Sequence, residues 1–350
     1  MTHSGHAHVS VEDLLEWGRA EGVYSAAAWS VGTATGETSG GVVGTRSWGG
    51  EPVTRTDLFD LASVTKPLVG VVVMALLERG ALALDSTVAE LLPDFQARAT
   101  GELTLRDLML HTSGLPGRVP MYRTYPTRDA MVEGLRALPP PARPGDAVQY
   151  SSPGLMLVGM MAEAASGAPL DTLVEEFLTR PTGLTSTLFT PAPHDRARAV
   201  ATEDCAWRGT VVAGEVHDEN AVVLGGVAGH AGLFSTVDDL ATLGAALVRN
   251  LTEPLLLHPI TLAAMIENRT AGMAEGRGLT WQTADTPGSP AGDLVSRRTF
   301  GHTGFTGTSL YVDPDHQRYY VLLTNRVHPS REGDGIRRIR RAFHNMAAVG

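Results

Sequence analysis

The 350-residue chain has a single cysteine, Cys205, which excludes an intrachain disulfide framework and leaves a buried, inert thiol as the simplest expectation. It has no apolar run that could cross a bilayer. The longest, residues 67–77, is about half of the roughly 20 residues a span needs. The first ten residues carry His3, His6 and His8 but no apolar core. They read as a tail, not as a ligand set or a secretory signal, so the expected location is the cytoplasm. Positive charge is scarce: the net charge is −10 and the isoelectric point about 5.6. A nucleic-acid or anionic-membrane partner would need a basic stripe, and neither is expected. The chain also lacks a fixed-period repeat and low-complexity tracts.

What is present is ordinary for a globular protein, with 43% hydrophobic and 19% charged residues. At roughly 150 residues per domain, the length allows about two domains or one large composite. Periodicity predicts an amphipathic helix over 9–20, with Val11, Leu14, Leu15 and Gly18 on one face, then strands over 24–31 and 40–45 around a turn-rich 32–39. A short apolar lead at 58–61 enters a helix over 63–78. Pro67 fits there only if it lies in the first turn, so the helix should start near Ser63. Thr104 should cap a short helix through Leu110. Helices are predicted at 154–165, 170–178, 237–249, 259–267 and 331–348, and strand-like alternation at 300–312 and 318–324. Segment 181–224 reads as irregular. Strands at both ends of the chain can share one sheet while the middle forms a second lobe, with a site in the crevice between them.

The most informative scarcity is lysine. Of 28 basic residues one alone, Lys66, is lysine. Arginine cannot give up its proton at any working pH, whereas a desolvated lysine can, so Lys66 marks a place where a neutral amine is useful. In Ser63-Val64-Thr65-Lys66 the hydroxyl and the amine are three residues apart, which on a helix puts both on one face. A helix start also offers free N–H groups to a developing oxyanion. A serine hydroxyl is a weak nucleophile until a neighbouring base takes its proton.

Three further segments share a pattern with this one: Tyr150-Ser151-Ser152, Gly301-His302-Thr303-Gly304 and Leu110-His111-Thr112-Ser113-Gly114-Leu115-Pro116. In this order and spacing the set resembles the serine β-lactamase and penicillin-binding-protein superfamily, in particular the branch of class C β-lactamases and their esterase and transacylase relatives. Residues 214–221 and 229–236 resemble the same branch, and the resemblance covers roughly residues 20–330. It implies an α/β (α+β) fold, with an antiparallel sheet of the five-stranded type flanked by N- and C-terminal helices, plus an all-helical lobe. The expected division is 1–62 together with 226–350 for the sheet domain and 63–225 for the helical lobe.

The resemblance implies that Ser63 is the acyl-accepting nucleophile, Lys66 its base partner and Tyr150 a proton shuttle to the leaving group. His302 stands where the usual strand motif has lysine. The backbone N–H groups of Ser63 and Phe305 would form the oxyanion hole. Ser152, Thr303, Gly304 and Gly307 would line the substrate, the glycines leaving room for it against the strand. Family members acting on β-lactams or peptides usually have asparagine where Ser152 stands, and a hydroxyl has less reach and fewer hydrogen bonds than a carboxamide.

The expected activity is acyl transfer through acyl-Ser63 from an intracellular ester or amide. The acyl group passes to water (esterase or amidase) or to an amine or alcohol (transacylase), as in natural-product or antibiotic biosynthesis. A β-lactamase or DD-peptidase, and a non-catalytic penicillin-binding-like sensor, are the alternatives. The expected partners are small molecules, and no cofactor or metal is expected: His217, Asp218, Glu219 and His230 match no ligand template and read as a hydrogen-bonded loop beside the cleft. His111 reads as a structural helix end. Trp207 and Trp281 could line a pocket or fill the core.

Overall fold

A computed structural model describes residues 9–350; the tail histidines His3, His6 and His8 lie outside the described residues. Helix α1 (Val11–Ala20) starts two residues later than its periodicity suggests, because the Ser10 hydroxyl accepts the Asp13 N–H at 3.1 Å and caps it. Strands β1 (Ala26–Thr33) and β2 (Gly36–Gly44) form a hairpin with a two-residue connection. The ladder runs through most of the stretch that its glycines and polar residues mark as a turn. β2 is an edge strand in which Val43 alone is buried, so no apolar alternation reveals it.

Helix α2 (Thr65–Glu78) is buried on every side from Thr65 to Leu76, which explains its unbroken apolar run. Pro67 sits in its first turn, as expected, but Ser63 lies one step earlier, in a 3₁₀ turn over Ala62–Val64. Helix α3 (Ser152–Ser166) and helix α4 (Val237–Arg249) follow, the latter within the predicted bounds. The strand-like run at 300–312 is two strands folded on each other. After β3 (Gln282–Thr283), β4 (Phe300–Thr303) turns at residues 304–308 into β5 (Ser309–Asp313), and β6 (Arg318–Thr324) and α5 (Ile336–Val349) close the chain.

The main sheet is antiparallel throughout, in the order β2-β1-β6-β5-β4-β3. Its sixth strand, β3, is two residues long and adds to the five-stranded type that the resemblance implies. β1 lies beside β6, pairing Ala27 with Thr324, so the two ends of the sequence meet in mid-sheet. One face packs on α1 and α5 around Leu14, Trp29, Tyr320, Ile339 and Phe343. The other packs on α4 and continues into the large core under α2 and α3. Among the described residues no helix is long and apolar enough to cross a membrane.

His344 of α5 is fully buried, edge-on to Tyr311, Tyr320 and Phe343, and its Nδ1–H donates to the Pro290 carbonyl at 2.8 Å. Burial pushes it down to about 4, against the pull of that carbonyl. An unfolded histidine titrates near about 6.5, so between those values the unfolded chain binds a proton that the folded chain refuses. Stability is therefore full above the unfolded value and falls as pH drops through the window. His111, His302 and His328 are shifted the same way and add to the effect. Calorimetry should show the unfolding midpoint dropping several degrees from pH 7 to pH 5. His344→Gln should flatten that slope whatever its absolute stability, and an equally steep slope in this variant would contradict the assignment.

Candidate active site

Three chain segments converge on Ser63. A small sheet joins Phe59–Asp60 to Leu233–Ser235 and Leu188–Phe189, which fixes the strand that leads into the serine. The backbone then turns sharply, with Ala62 at φ 46°, a left-handed conformation costly for a residue with a Cβ. Buried Asp60 holds it there: one carboxylate oxygen accepts the Ala62 N–H at 2.7 Å and the other the His217 N–H at 2.6 Å. Neither the Ser63 nor the Phe305 N–H donates to an acceptor among the described residues, so both remain available to an incoming oxygen.

The β4–β5 turn is tied to the same strand. Thr306 Oγ1 donates to the Asp60 carbonyl at 2.7 Å and Thr308 Oγ1 to the Leu61 carbonyl at 3.0 Å. From below, buried Arg340 donates to the Gly304 and Thr308 carbonyls at 2.6 and 2.9 Å. Phe305 is pinned by Arg326, whose Nε donates to its carbonyl at 2.7 Å, and by His217, stacked on its ring at 5.8 Å.

The glycines of this turn correct an expectation. They were to leave space for substrate, but protein already fills the space a Cβ would take. At Gly304 it would lie 2.0 Å from Thr308 Oγ1 and 2.4 Å from the Leu61 carbonyl oxygen. At Gly307 (φ +118°) it would lie 2.1 Å from Thr324 Oγ1. Gly304 lets the turn close onto the nucleophile strand. Gly304→Ala should push the Phe305 amide off Ser63, slowing acylation by up to about 10²- to 10³-fold, the loss typical of removing one oxyanion donor. Stopped-flow acylation reads this directly, and an unchanged rate would show that the turn yields without consequence.

Lys66 is fully buried, and its Nζ donates to Ser63 Oγ at 2.9 Å and to the His230 carbonyl at 2.9 Å. The same Nζ is 4.9 Å from the centre of the Tyr150 ring. Tyr150 stands in extended chain just before α3, clamped on both sides by His111. The Gln149 N–H donates to the His111 carbonyl at 2.7 Å and the Ser151 N–H to His111 Nδ1 at 3.0 Å. Its hydroxyl is buried with no partner among the described residues. Ser152 opens α3 and is buried, and Thr303 ends β4 opposite Ser309.

Two neutral imidazoles flank Tyr150, with His111 4.7 Å and His302 6.0 Å from it between ring centres. Burial, then the charges of Arg277 and Lys66, hold both well below the usual histidine range. The tautomers follow from their partners. His302 Nδ1–H donates to the Thr303 carbonyl at 2.8 Å, which leaves Nε2 as an acceptor. His111 Nδ1 accepts, so its proton is on Nε2. Both Nε2 atoms are buried without a partner among the described residues. A half-buried serine hydroxyl with a buried amine and a buried phenol oxygen, beside free amides, can attack a carbonyl carbon, hold the resulting oxyanion and move the proton.

The sequence profile of the β-lactamase family matches residues 19–344. The chain belongs to the β-lactamase family. An Escherichia coli (strain K12) protein provisionally named a D-alanyl-D-alanine carboxypeptidase is 31% identical over 311 residues, 79% of this chain and 71% of that one. Among solved structures, "EstCE1, a hydrolase with promiscuous acyltransferase activity" superposes with a TM-score of 0.78 at 23% identity, covering 97% of each chain. A mutant of simvastatin synthase from Aspergillus terreus gives 0.75 at 21%, covering 99% of this chain and 98% of that one. Membership of the β-lactamase family makes the chain a serine hydrolase or acyltransferase of that family, and the solved neighbours show the β-lactamase/transpeptidase-like fold.

Within this β-lactamase-family site, sequence reasoning missed several contributors. His111 does end a helix, at φ 58°, but it also clamps Tyr150. Arg277 is 1% exposed and its guanidinium carbon lies 5.5 Å from the Tyr150 ring centre. Arg118, on the surface, reaches over both Phe305 and Tyr150, at 5.0 and 6.0 Å. The expected loop beside the cleft is built from His230 Nε2 on Asp218 at 3.0 Å and His217 on Glu203 at 2.8 Å. Burial would raise Asp218, but the His230 ring, the Ala221 N–H and Lys66 hold it below the ordinary carboxylate range. Glu203, Cys205 and Glu219 bring one potential ligand atom each within 4.8 Å of one another, yet Arg331 binds both carboxylates and His217 binds Glu203, so these oxygens are already committed. Trp281 fills the core against Phe300, whereas Trp207 is 49% exposed and meets Tyr122 edge-on.

Proposed function

We propose that the chain transfers an acyl group from a small ester or amide, through acyl-Ser63, to an amine or alcohol. The observation that carries this is the 2.9 Å contact from fully buried Lys66 Nζ to Ser63 Oγ. In the first half-reaction, Ser63 Oγ bonds to the carbonyl carbon and its proton passes to the Lys66–Tyr150 pair. The Ser63 and Phe305 N–H groups take the oxyanion. The pair then gives the proton to the leaving group as its bond to the acyl carbon breaks. In the second half-reaction the acceptor's proton follows the reverse path and Ser63 Oγ is restored.

Transfer is favoured over hydrolysis because Lys66 and the Tyr150 hydroxyl are out of contact with solvent, and an organic acceptor that fills the cleft excludes water. Ser152 in place of a carboxamide, and a neutral imidazole at His302, argue against β-lactams and peptides as first substrates. Simvastatin synthase supports the same reading, and the neighbour named as a hydrolase with promiscuous acyltransferase activity fits both transfer and hydrolysis. The E. coli relative supports a second reading, a DD-peptidase acting by the same acyl-Ser63.

Intact-mass spectrometry with a panel of activated esters and D-alanyl peptides, with and without added amines, tests the proposal. An adduct that maps to Ser63 and that amines clear faster than buffer is expected. Clearance by buffer alone makes it an esterase, adducts only with D-alanyl peptides support the second reading, and no adduct at Ser63 overturns both.

A further inference from the structure

Arg277 holds a position that is costly to maintain. It is 1% exposed, it ion-pairs with half-exposed Glu275, and its Nε and Nη1 are buried without an acceptor among the described residues. An incompletely paired buried guanidinium is unfavourable unless a negative charge appears nearby. Its backbone is fixed: the Arg277 N–H donates to Thr270 Oγ1 at 2.8 Å and its carbonyl accepts the Arg269 N–H at 2.8 Å. These bonds anchor the root of the side chain in the turn before β3.

The group beside it that can become negative is Tyr150, with 5.5 Å between the guanidinium carbon and the ring centre. Five titratable or charged groups face that phenol from five parts of the fold: Lys66 of α2, His111 of the turn after Leu105–Met109, Arg118 of the following loop, Arg277, and His302 of β4. The two histidines are neutral, Arg118 is on the surface, and Lys66 is committed to Ser63 and the His230 carbonyl. Arg277 is the remaining buried, permanently charged cation in the set.

We propose that Arg277 is a positioning residue for acyl transfer, supplying the fixed positive charge that stabilises the Tyr150 oxygen while its proton is on loan to the leaving group. This rests on the reading of Ser63, Lys66 and Tyr150 as the acyl-transfer set. Arg277 touches no reacting atom and acts through the phenol ring. An opposite charge at this range favours the ionised partner. Without it, the phenol must shed its proton with help from Lys66 alone.

The test is single-turnover acylation by p-nitrophenyl acetate across a pH series, with the Ser63 adduct confirmed by intact mass, in the native chain and in Arg277→Gln, Arg277→Lys and Glu275→Gln. Arg277→Gln should slow acylation about 10- to 100-fold near neutral pH, move the acidic limb of the profile up by about one pH unit, and recover most of the rate at high pH. Arg277→Lys, which keeps the charge, should restore much of the neutral rate. Glu275→Gln removes the countercharge and should move the limb the other way; it carries the test if Arg277→Gln does not fold. A purely structural Arg277 would depress the rate equally at every pH, and that result, or an unmoved limb in both charge-changing variants, overturns the proposal. A native chain that forms no Ser63 adduct is a separate failure, that of the acyl-Ser63 reading itself.

Discussion

Replacing Ser63 with alanine should abolish covalent capture of an activated ester and cut turnover by on the order of 10⁴-fold or more, as losing a nucleophile does in enzymes whose catalytic groups act as a unit. The substitution is sterically mild. Ser63 is half-buried, its Oγ receives one hydrogen bond from Lys66, and the strained backbone at Ala62 is held by Asp60 and not by the serine side chain. The variant should therefore fold with an unfolding midpoint close to that of the native chain. Intact mass then gives a clean answer. A residual adduct on the Ser63→Ala chain would mean that another side chain is acylated and that the serine is a bystander. Residual turnover without an adduct would mean that the free amides and the buried amine act on a bound water.

Lys66→Arg should slow acylation by at least about 10²-fold, the scale on which a general base contributes. The change keeps the positive charge and the ability to donate to Ser63 Oγ and the His230 carbonyl. It removes the one property arginine lacks, the ability to give up a proton and take it back. Arginine is also the cation this chain uses at every other position, so the substitution asks whether the exception has a chemical reason. Near-native acylation would show that the amine serves as a hydrogen-bond donor and never as a base. The slot around Lys66 is tight, so thermal unfolding of the variant must be recorded alongside. The contrast with Ser63→Ala is informative: the lysine variant should still accumulate acyl-Ser63 over hours, the alanine variant never.

The sequence exposed those parts of the site that rest on composition and short-range spacing. A single lysine among 28 basic residues is visible without any structure, and so is a serine three positions before it. The helices were legible where the apolar pattern is long, an unbroken run in α2 and a periodic face in α4. β2 was not, because an edge strand facing solvent has no alternation to read. β3 was not, because two residues carry no pattern. Arg277 could not be found from sequence, as one arginine among many, brought to Tyr150 by a turn 127 positions further along the chain. His111 was seen but read too narrowly: a left-handed helix end is a local property, whereas its grip on the residues around Tyr150 is a tertiary one. Gly304 was found for the wrong reason, since sequence can show that a Cβ is absent but not which neighbour occupies the space.

The pairing of β1 with β6 bears on how the protein is made. The Asn325 side chain accepts the N–H groups of Ser25 and Ala26 at 3.1 and 2.9 Å, and Thr306 and Thr308 hold the strand that presents Ser63. During translation the serine and lysine emerge some 240 residues or more before Thr306, Thr308 and Asn325, which complete the sheet and place the second amide. Contacts this distant in sequence form late. The nascent polypeptide thus carries its reactive pair in an unassembled state until those later strands emerge, and acylating power arrives only when they dock.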